Sequence, residues 1–127
     1  MKKSTWLFAG LITASMALGQ SAAFAADTVI PIIVKDTTSF YWQIVLAGAR
    51  KAGVDLGVKV PELGATSESD INGQISILEN AVAGKPAAIV ISPTQFKALG
   101  KPIDEAAKSV KIIGIDSVLI PRPSPRS

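Results

Sequence analysis

Four polar clusters, each directly after a short apolar run, hold the residue types in this chain that could act on or hold a ligand. Lys35, Asp36, Thr37, Thr38 and Ser39 come first and lead at once into Phe40, Tyr41 and Trp42. Residues 64–69 form the second cluster, Ser92, Pro93 and Thr94 the third, and Asp116 the last. In an open α/β sheet the carboxyl ends of the strands form the ligand-binding rim. A lysine, several hydroxyls, a carboxylate and an aromatic ring at that rim suit a sugar. The ring of Trp42 can cover the apolar C–H face of a pyranose. Lys35, Ser39 and Asp116 can satisfy hydroxyls that would otherwise lose water at a cost of about 1–3 kcal/mol each. A carboxylate can accept from two neighbouring hydroxyls at once. Plainer readings stand beside these. Trp42 also opens the apolar stripe of the first helix and suits a core position, Asp116 suits a turn, and Thr94 suits the cap of the helix that follows it.

Other chemistry is poorly provided for. The 127 residues include no histidine and no cysteine. The common proton shuttle, the usual transition-metal ligands and both common nucleophile–base pairs are therefore missing. The close carboxylate pairs, Glu68 with Asp70 and Asp104 with Glu105, fall at expected helix starts, where the helix dipole accounts for them without catalysis. No G-x-G-x-x-G or Walker-type loop follows the first apolar run, so a nucleotide site has no support. No cofactor is implied.

The elements that must position the four clusters alternate in type. Apolar, β-branched runs at 28–34, 58–63, 87–91 and 110–115 read as strands, and the segments between them carry helical periodicity, the pattern of βαβ units in a parallel sheet. Pro31 demotes the first run to a sheet edge or leaves its first residues unpaired, and Pro61 weakens the second. Trp42, Val45, Ala49, Ala52 and Leu56 form one helical stripe closed by Gly57 as a C-cap. Residues 67–70 resemble a capping box before the stripe Ile71, Ile75, Leu78 and Val82, which Gly84, Lys85 and Pro86 stop. A short helical piece at 95–99 is expected to break at Gly100, Lys101 and Pro102 before a second piece at 103–109. Fold class is thus α/β, β-α-β-α-β-α-β, with right-handed crossovers.

The N-terminus has its own pattern. Lys2 and Lys3 precede an apolar stretch at 6–18, and Ala23-Phe24-Ala25 supplies the A-x-A motif of a signal peptide cleaved after Ala25. The stretch is shorter than the ~20 residues that a spanning helix needs. The absence of cysteine excludes a lipid-anchored signal and disulfides. A periplasmic location, with no membrane insertion after cleavage, is expected. Without Lys2 and Lys3, 11 Lys and Arg face 10 Asp and Glu. Arg50 and Lys51 are the only adjacent cations of that part, so no nucleic-acid footprint is present.

Read together, these segments resemble the periplasmic sugar-binding proteins of ABC transporters, of the ribose, allose and inositol type that shares its fold with lactose-repressor-like regulators. The resemblance is carried by residues 34–42 with Ala47-Gly48-Ala49, by 88–94 and by 110–116, and spans 28–117. It implies a periplasmic binding protein type I fold, with 26–117 forming part of the N-terminal lobe. It also implies that Tyr41 and Trp42 occupy the family's sugar-stacking aromatic pair and Asp116 its hydroxyl-binding aspartate. Lys35 matches a lysine of allose-type members. With Ser39 and Thr94, these residues make up the expected sugar site: Lys35, Ser39, Tyr41, Trp42, Thr94 and Asp116. Ser39 and Phe40 stand where the family often has Asn-Pro, and Ser117 where ribose-type members have arginine, which argues against ribose. The implied partners are a monosaccharide or related polyol and an inner-membrane permease, with no reaction catalysed.

Members of that family look two to three times as long, with two lobes that close like a hinged clamp. Residues 118–127, with three prolines in seven residues, read as an irregular tail. Relatives resemble Asp-Ser-Gly-Ala-Asp-Ser where this chain continues Asp116-Ser117-Val118-Leu119-Ile120-Pro121. Loss of one G from GGT-GCT-GAT-TCC yields Val-Leu-Ile-Pro, so a frameshift and truncation are expected. On this reading the fragment alone has no measurable sugar affinity. Three other classes compete with the sugar receptor. A regulator of the same fold would need an N-terminal helix-turn-helix and no export signal, a secreted α/β enzyme is disfavoured by the absence of histidine and cysteine, and the fourth reading is a fragment without function of its own, its sheet lacking the elements that should cover it.

Overall fold

The computed structural model describes residues 28–117. The expected signal peptide and the tail at 118–127 lie outside the described residues. Within them the chain runs β1 (Ile32–Val34), α1 (Phe40–Leu56), β2 (Glu62–Gly64), α2 (Ile71–Ala83), β3 (Ala88–Ile91), α3 (Phe96–Ala106) and β4 (Lys111–Gly114). All strand pairs are parallel and the order in the sheet is β2-β1-β3-β4. The expected α/β class and βαβ succession are both present.

That strand order explains the layers. The chain steps from β1 to β2 in one direction, then returns past β1 to β3 and on to β4 in the other. A fixed crossover hand sends opposite steps to opposite faces. The core divides accordingly. Trp42 and Leu46 of α1 pack on Ile32 and Val34, while Leu78 of α2 and Leu99, Ile103 and Ala106 of α3 pack on Ile33, Ile89 and Ile91. Alternate residues of β1 thus serve both cores, as near-continuous apolarity in a doubly covered strand requires. Ile33, Leu78, Ile89, Ile91 and Leu99 are essentially inaccessible, and each such side chain stabilises by about 1.5–3 kcal/mol.

Three expectations need correction. The run containing Pro31 becomes an interior strand, paired on both sides, not an edge. Its carbonyl still accepts from Val90 N, and Val29 still bridges to Lys59, so the proline removes a single donor from the ladder. Second, α3 is continuous through Pro102. Proline keeps a helical φ and removes only the bond to the carbonyl four residues back, at Ala98. Burial of Leu99, Ile103 and Ala106 along one stripe holds the two halves in line. Asp104 and Glu105 therefore lie in the last turn of a helix rather than at its start, and Glu105 pairs with Lys108 at 2.8 Å. Third, α2 is capped by Asp70, whose carboxylate accepts from Gly73 N at 2.9 Å, while Ser67 bonds locally to Ser69. The capping-box reading of 67–70 is thus replaced by a simple aspartate cap.

The end of α1 matches its sequence signal. Gly57 adopts φ 65° and its N–H reaches Gly53 O and Val54 O, the left-handed cap that only glycine takes without strain. No helix of the described residues is long and apolar enough to cross a membrane.

Candidate functional site

Between β1 and β3 the topology reverses, since α1 leaves β1 toward one face and α3 leaves β3 toward the other. The divergence opens a crevice at the carboxyl ends of these strands, the place where open α/β sheets bind ligands. Lys35 and Asp36 follow β1 there, Ser92 and Thr94 follow β3, and Asp116 follows β4.

Asp36 builds the first loop. Its buried carboxylate accepts from Thr38 N at 2.7 Å, Thr38 Oγ1 at 2.9 Å and Ser39 N at 2.7 Å. The Ser39 N–H does most to hold this carboxyl below the ordinary carboxylate range, with burial opposing and Thr38 assisting. The fixed loop delivers Ser39 as the N-cap of α1. Its hydroxyl makes no capping bond, so the backbone of the helix start does not consume it.

Asp116 is the focus of the crevice. Lys35 Nζ lies 2.8 Å from its Oδ2. The Tyr41 hydroxyl donates to Oδ1 at 3.5 Å, and the Ser92 and Ser117 hydroxyls donate to Oδ2 at 3.4 and 3.5 Å. The Lys35 bond holds the Asp116 carboxyl below its ordinary range, burial opposes, and the two serines add to the lowering. Asp116 also takes φ 63°, a left-handed conformation uncommon outside glycine. Strain of this kind persists where surrounding contacts over-determine it, and it is frequent at ligand sites.

The two aromatic residues separate. Tyr41 is 57% exposed, whereas Trp42 is 2% exposed. The Trp42 indole N–H donates to Glu68 Oε1 at 2.9 Å, and its ring meets Tyr41 edge-on at 4.8 Å between centroids. Lys35 Nζ stands 5.8 Å from the Trp42 centroid. Trp42 thus takes the core position that its place in the α1 stripe allowed. In this arrangement it backs Tyr41 and Lys35 and leaves little ring to stack on a ligand. Thr94 is also placed differently from the cap reading. Gln95 is the N-cap of α3, and Thr94 gives both its N–H and its hydroxyl to Gln74 Oε1 at 2.8 and 3.0 Å.

Of the six expected residues, the structure gathers Lys35, Tyr41 and Asp116 directly, with Trp42 beneath them. Ser39 and Thr94 line the flanking loops. Sequence reasoning missed Gln74; Glu68 and Ser92 fell within the rim clusters but were given no place among the six expected site residues. A signal for Gln74 existed, because position 74 falls on the apolar stripe of Ile71, Ile75 and Leu78, where an amide requires partners.

A model of the periplasmic binding protein domain matches residues 30–126. The chain belongs to this family. Among solved structures it is 88% identical to a carbohydrate transporter solute-binding protein from Agrobacterium radiobacter in complex with D-arabinose, covering 72% of this chain and 31% of that one at TM-score 0.72. An arabinose-binding protein from Geobacillus stearothermophilus is 33% identical, with 73% and 32% covered and TM-score 0.67. A periplasmic solute-binding protein from Actinobacillus succinogenes with bound D-allose shares the fold at 22% identity and TM-score 0.70, with 75% and 34% covered. The chain thus spans about a third of the length of these relatives. No curated protein matches it. The family is one of sugar-transporter solute-binding proteins with a type I periplasmic binding fold, and the described residues form part of its N-terminal domain.

Proposed function

We propose that this chain carries the sugar-recognising part of a periplasmic solute-binding protein that captures a monosaccharide of the D-arabinose kind for an ABC importer and performs no reaction on it. The observation that carries this reading is the gathering of Lys35, Tyr41 and Asp116 at the sheet's switch point, in a chain 88% identical to a protein solved with D-arabinose. The two oxygens of Asp116 can accept from adjacent sugar hydroxyls, Lys35 can donate to a third, and the exposed ring of Tyr41 can cover C–H groups. Ser39 and Thr94 extend the polar rim on either side. Because Lys35 and Asp116 already neutralise one another, the site suits an uncharged ligand.

Export follows from the same reading. Cleavage after Ala25 would release the domain into the periplasm, where an inner-membrane permease would receive the loaded protein. A sugar held only at this rim keeps many hydroxyls in water, so the isolated chain is expected to show no measurable affinity.

The test is calorimetry with D-arabinose on two proteins: this chain, and a chimera in which residues 28–117 replace their counterpart in the Agrobacterium radiobacter protein. The chimera should bind and the isolated chain should not. A chimera that folds but ignores D-arabinose and other neutral monosaccharides would reject the reading.

A further inference from the structure

Gln74 is fully buried, on the face of α2 that packs against the sheet. Its Nε2 donates to Val34 O at 3.2 Å and to Ser92 O at 2.8 Å. Its Oε1 accepts from Thr94 N at 2.8 Å and Thr94 Oγ1 at 3.0 Å. An amide has two donor hydrogens and two acceptor lone pairs, and here all four are used.

The partners are not arbitrary. Ser92 N donates to Ile33 O as the last rung between β1 and β3. Beyond that rung the chain leaves β1 and β3 toward opposite faces, and Gln74 donates to a carbonyl at each strand end: that of Ser92, and that of Val34, the last β1 residue paired with β2. Buried carbonyls without donors are costly, on the order of 1–3 kcal/mol each. Gln74 supplies both bonds from a helix behind the crevice, in effect adding a rung of side-chain amide where the backbone ladder ends. The residues so fixed are those that lead into the rim: Val34 precedes Lys35, Ser92 donates to Asp116, and Thr94 lies two residues further along.

We infer that Gln74 is the positioning residue of the crevice, holding the carboxyl ends of β1 and β3 at the separation that sets Lys35, Ser92 and Thr94 around Asp116. As a role in sugar binding, the inference rests on the function proposed above. A second consequence concerns recognition. The Thr94 hydroxyl proton is committed to Gln74, so Thr94 offers a ligand only lone pairs. It therefore selects a hydroxyl that donates, as Asp116 does, and Lys35 is left as the donor facing these acceptors.

The full chain tests this without any sugar. In a Gln74→Met variant, which keeps volume and loses all four bonds, exchange of the Thr94 amide hydrogen should quicken about tenfold or more. Its Asp116 carboxyl, followed by carbon NMR through a pH titration, should titrate closer to an ordinary carboxylate, with an acid dissociation constant about threefold lower. Gln74→Glu supplies a pH-dependent counterpart. Its ionised carboxyl can accept from Thr94 but cannot donate to either carbonyl, whereas its protonated form regains one donor. Protection at Thr94 should therefore rise as pH falls through the titration of the introduced acid, a response that Gln74→Met cannot show. If neither variant folds, Thr94→Val removes one bond at a half-buried position and should quicken exchange of the amide at position 94 about threefold.

A folded Gln74→Met chain with unchanged Thr94 exchange and unchanged Asp116 titration would overturn the inference. So would a Gln74→Glu chain whose protection ignores pH, or, where those variants fail to fold, an unchanged rate in Thr94→Val. A folded chimera that ignores D-arabinose and other neutral monosaccharides would remove the proposed function and leave this geometry standing, so the two failures are distinguishable.

Discussion

Lys35 and Asp116 meet at 2.8 Å although β3 lies between the strands that carry them. The pair bridges the end of β3, whose Ser92 hydroxyl donates to the same carboxylate oxygen. Three strands of the sheet are thereby tied at their carboxyl ends by side chains that remain partly open to solvent, at 18% exposure for Lys35 and 33% for Asp116. A partly wet ion pair contributes little to stability. On the function proposed above, its value lies in orienting donors and acceptors for a ligand.

Acid should loosen the pair. The Asp116 carboxyl titrates below its ordinary value because the bond to Lys35 favours the ionised form. Its contribution to stability is present above the ordinary carboxylate value of about 3.9, and is lost as pH falls through the lower folded-state value. Carbon NMR should show the Asp116 midpoint rising in Lys35→Met. An unmoved midpoint would remove Lys35 as the cause.

Tyr41 and Trp42 should behave oppositely. Trp42→Ala empties a core position and should cost about 3–5 kcal/mol in urea unfolding. Tyr41→Ala, at an exposed position, should change stability by about 0.5 kcal/mol or less yet weaken D-arabinose binding by the chimera at least tenfold, the scale of about 1.4 kcal/mol. Equal stability losses would contradict the assignment of the two rings.

Pro102 should be a removable cost. Pro102→Ala restores a donor to the interior of α3, so urea unfolding should report a gain of about 1–3 kcal/mol. A loss would mean that the proline packs better than its missing bond costs.

Expressed in a bacterium with a working export pathway, the chain should lose its first 25 residues. Intact-mass measurement of periplasmic extract should find Ala26 at the N-terminus. Recovery with Met1 in place, in the cytoplasm, would contradict export.

Much of the fold was legible because its signals are local. Helix α1 with its Gly57 cap, and the short apolar run of β3, were each read from neighbouring residues and each has the expected type, although α1 buries Leu46 and Gly53 and leaves the stripe's Ala52 and Leu56 exposed. What failed depended on distant packing. The continuity of α3 through Pro102 comes from Leu99, Ile103 and Ala106 docking on the sheet, which outweighs one missing bond. The interior place of β1 despite Pro31 comes from pairing on both sides. At the site, the rim positions followed from strand ends, so Lys35 and Asp116 could be named before their contact was known. Trp42 could not be divided between core and ligand by spacing, since its stripe position and its rim position coincide. The α2 stripe marks Gln74 as a buried amide in need of partners, but those partners lie 18, 20 and 40 positions away, and no periodicity names them.

The central claim is that a monosaccharide sits at the switch point on Lys35, Tyr41 and Asp116. A crystal structure of the chimera soaked with D-arabinose tests it most directly. Sugar hydroxyls within hydrogen-bonding distance of the Asp116 carboxylate and Lys35 Nζ, with C–H groups over the Tyr41 ring, are the predicted result. A sugar bound elsewhere, with the Lys35–Asp116 pair closed and untouched, would contradict it.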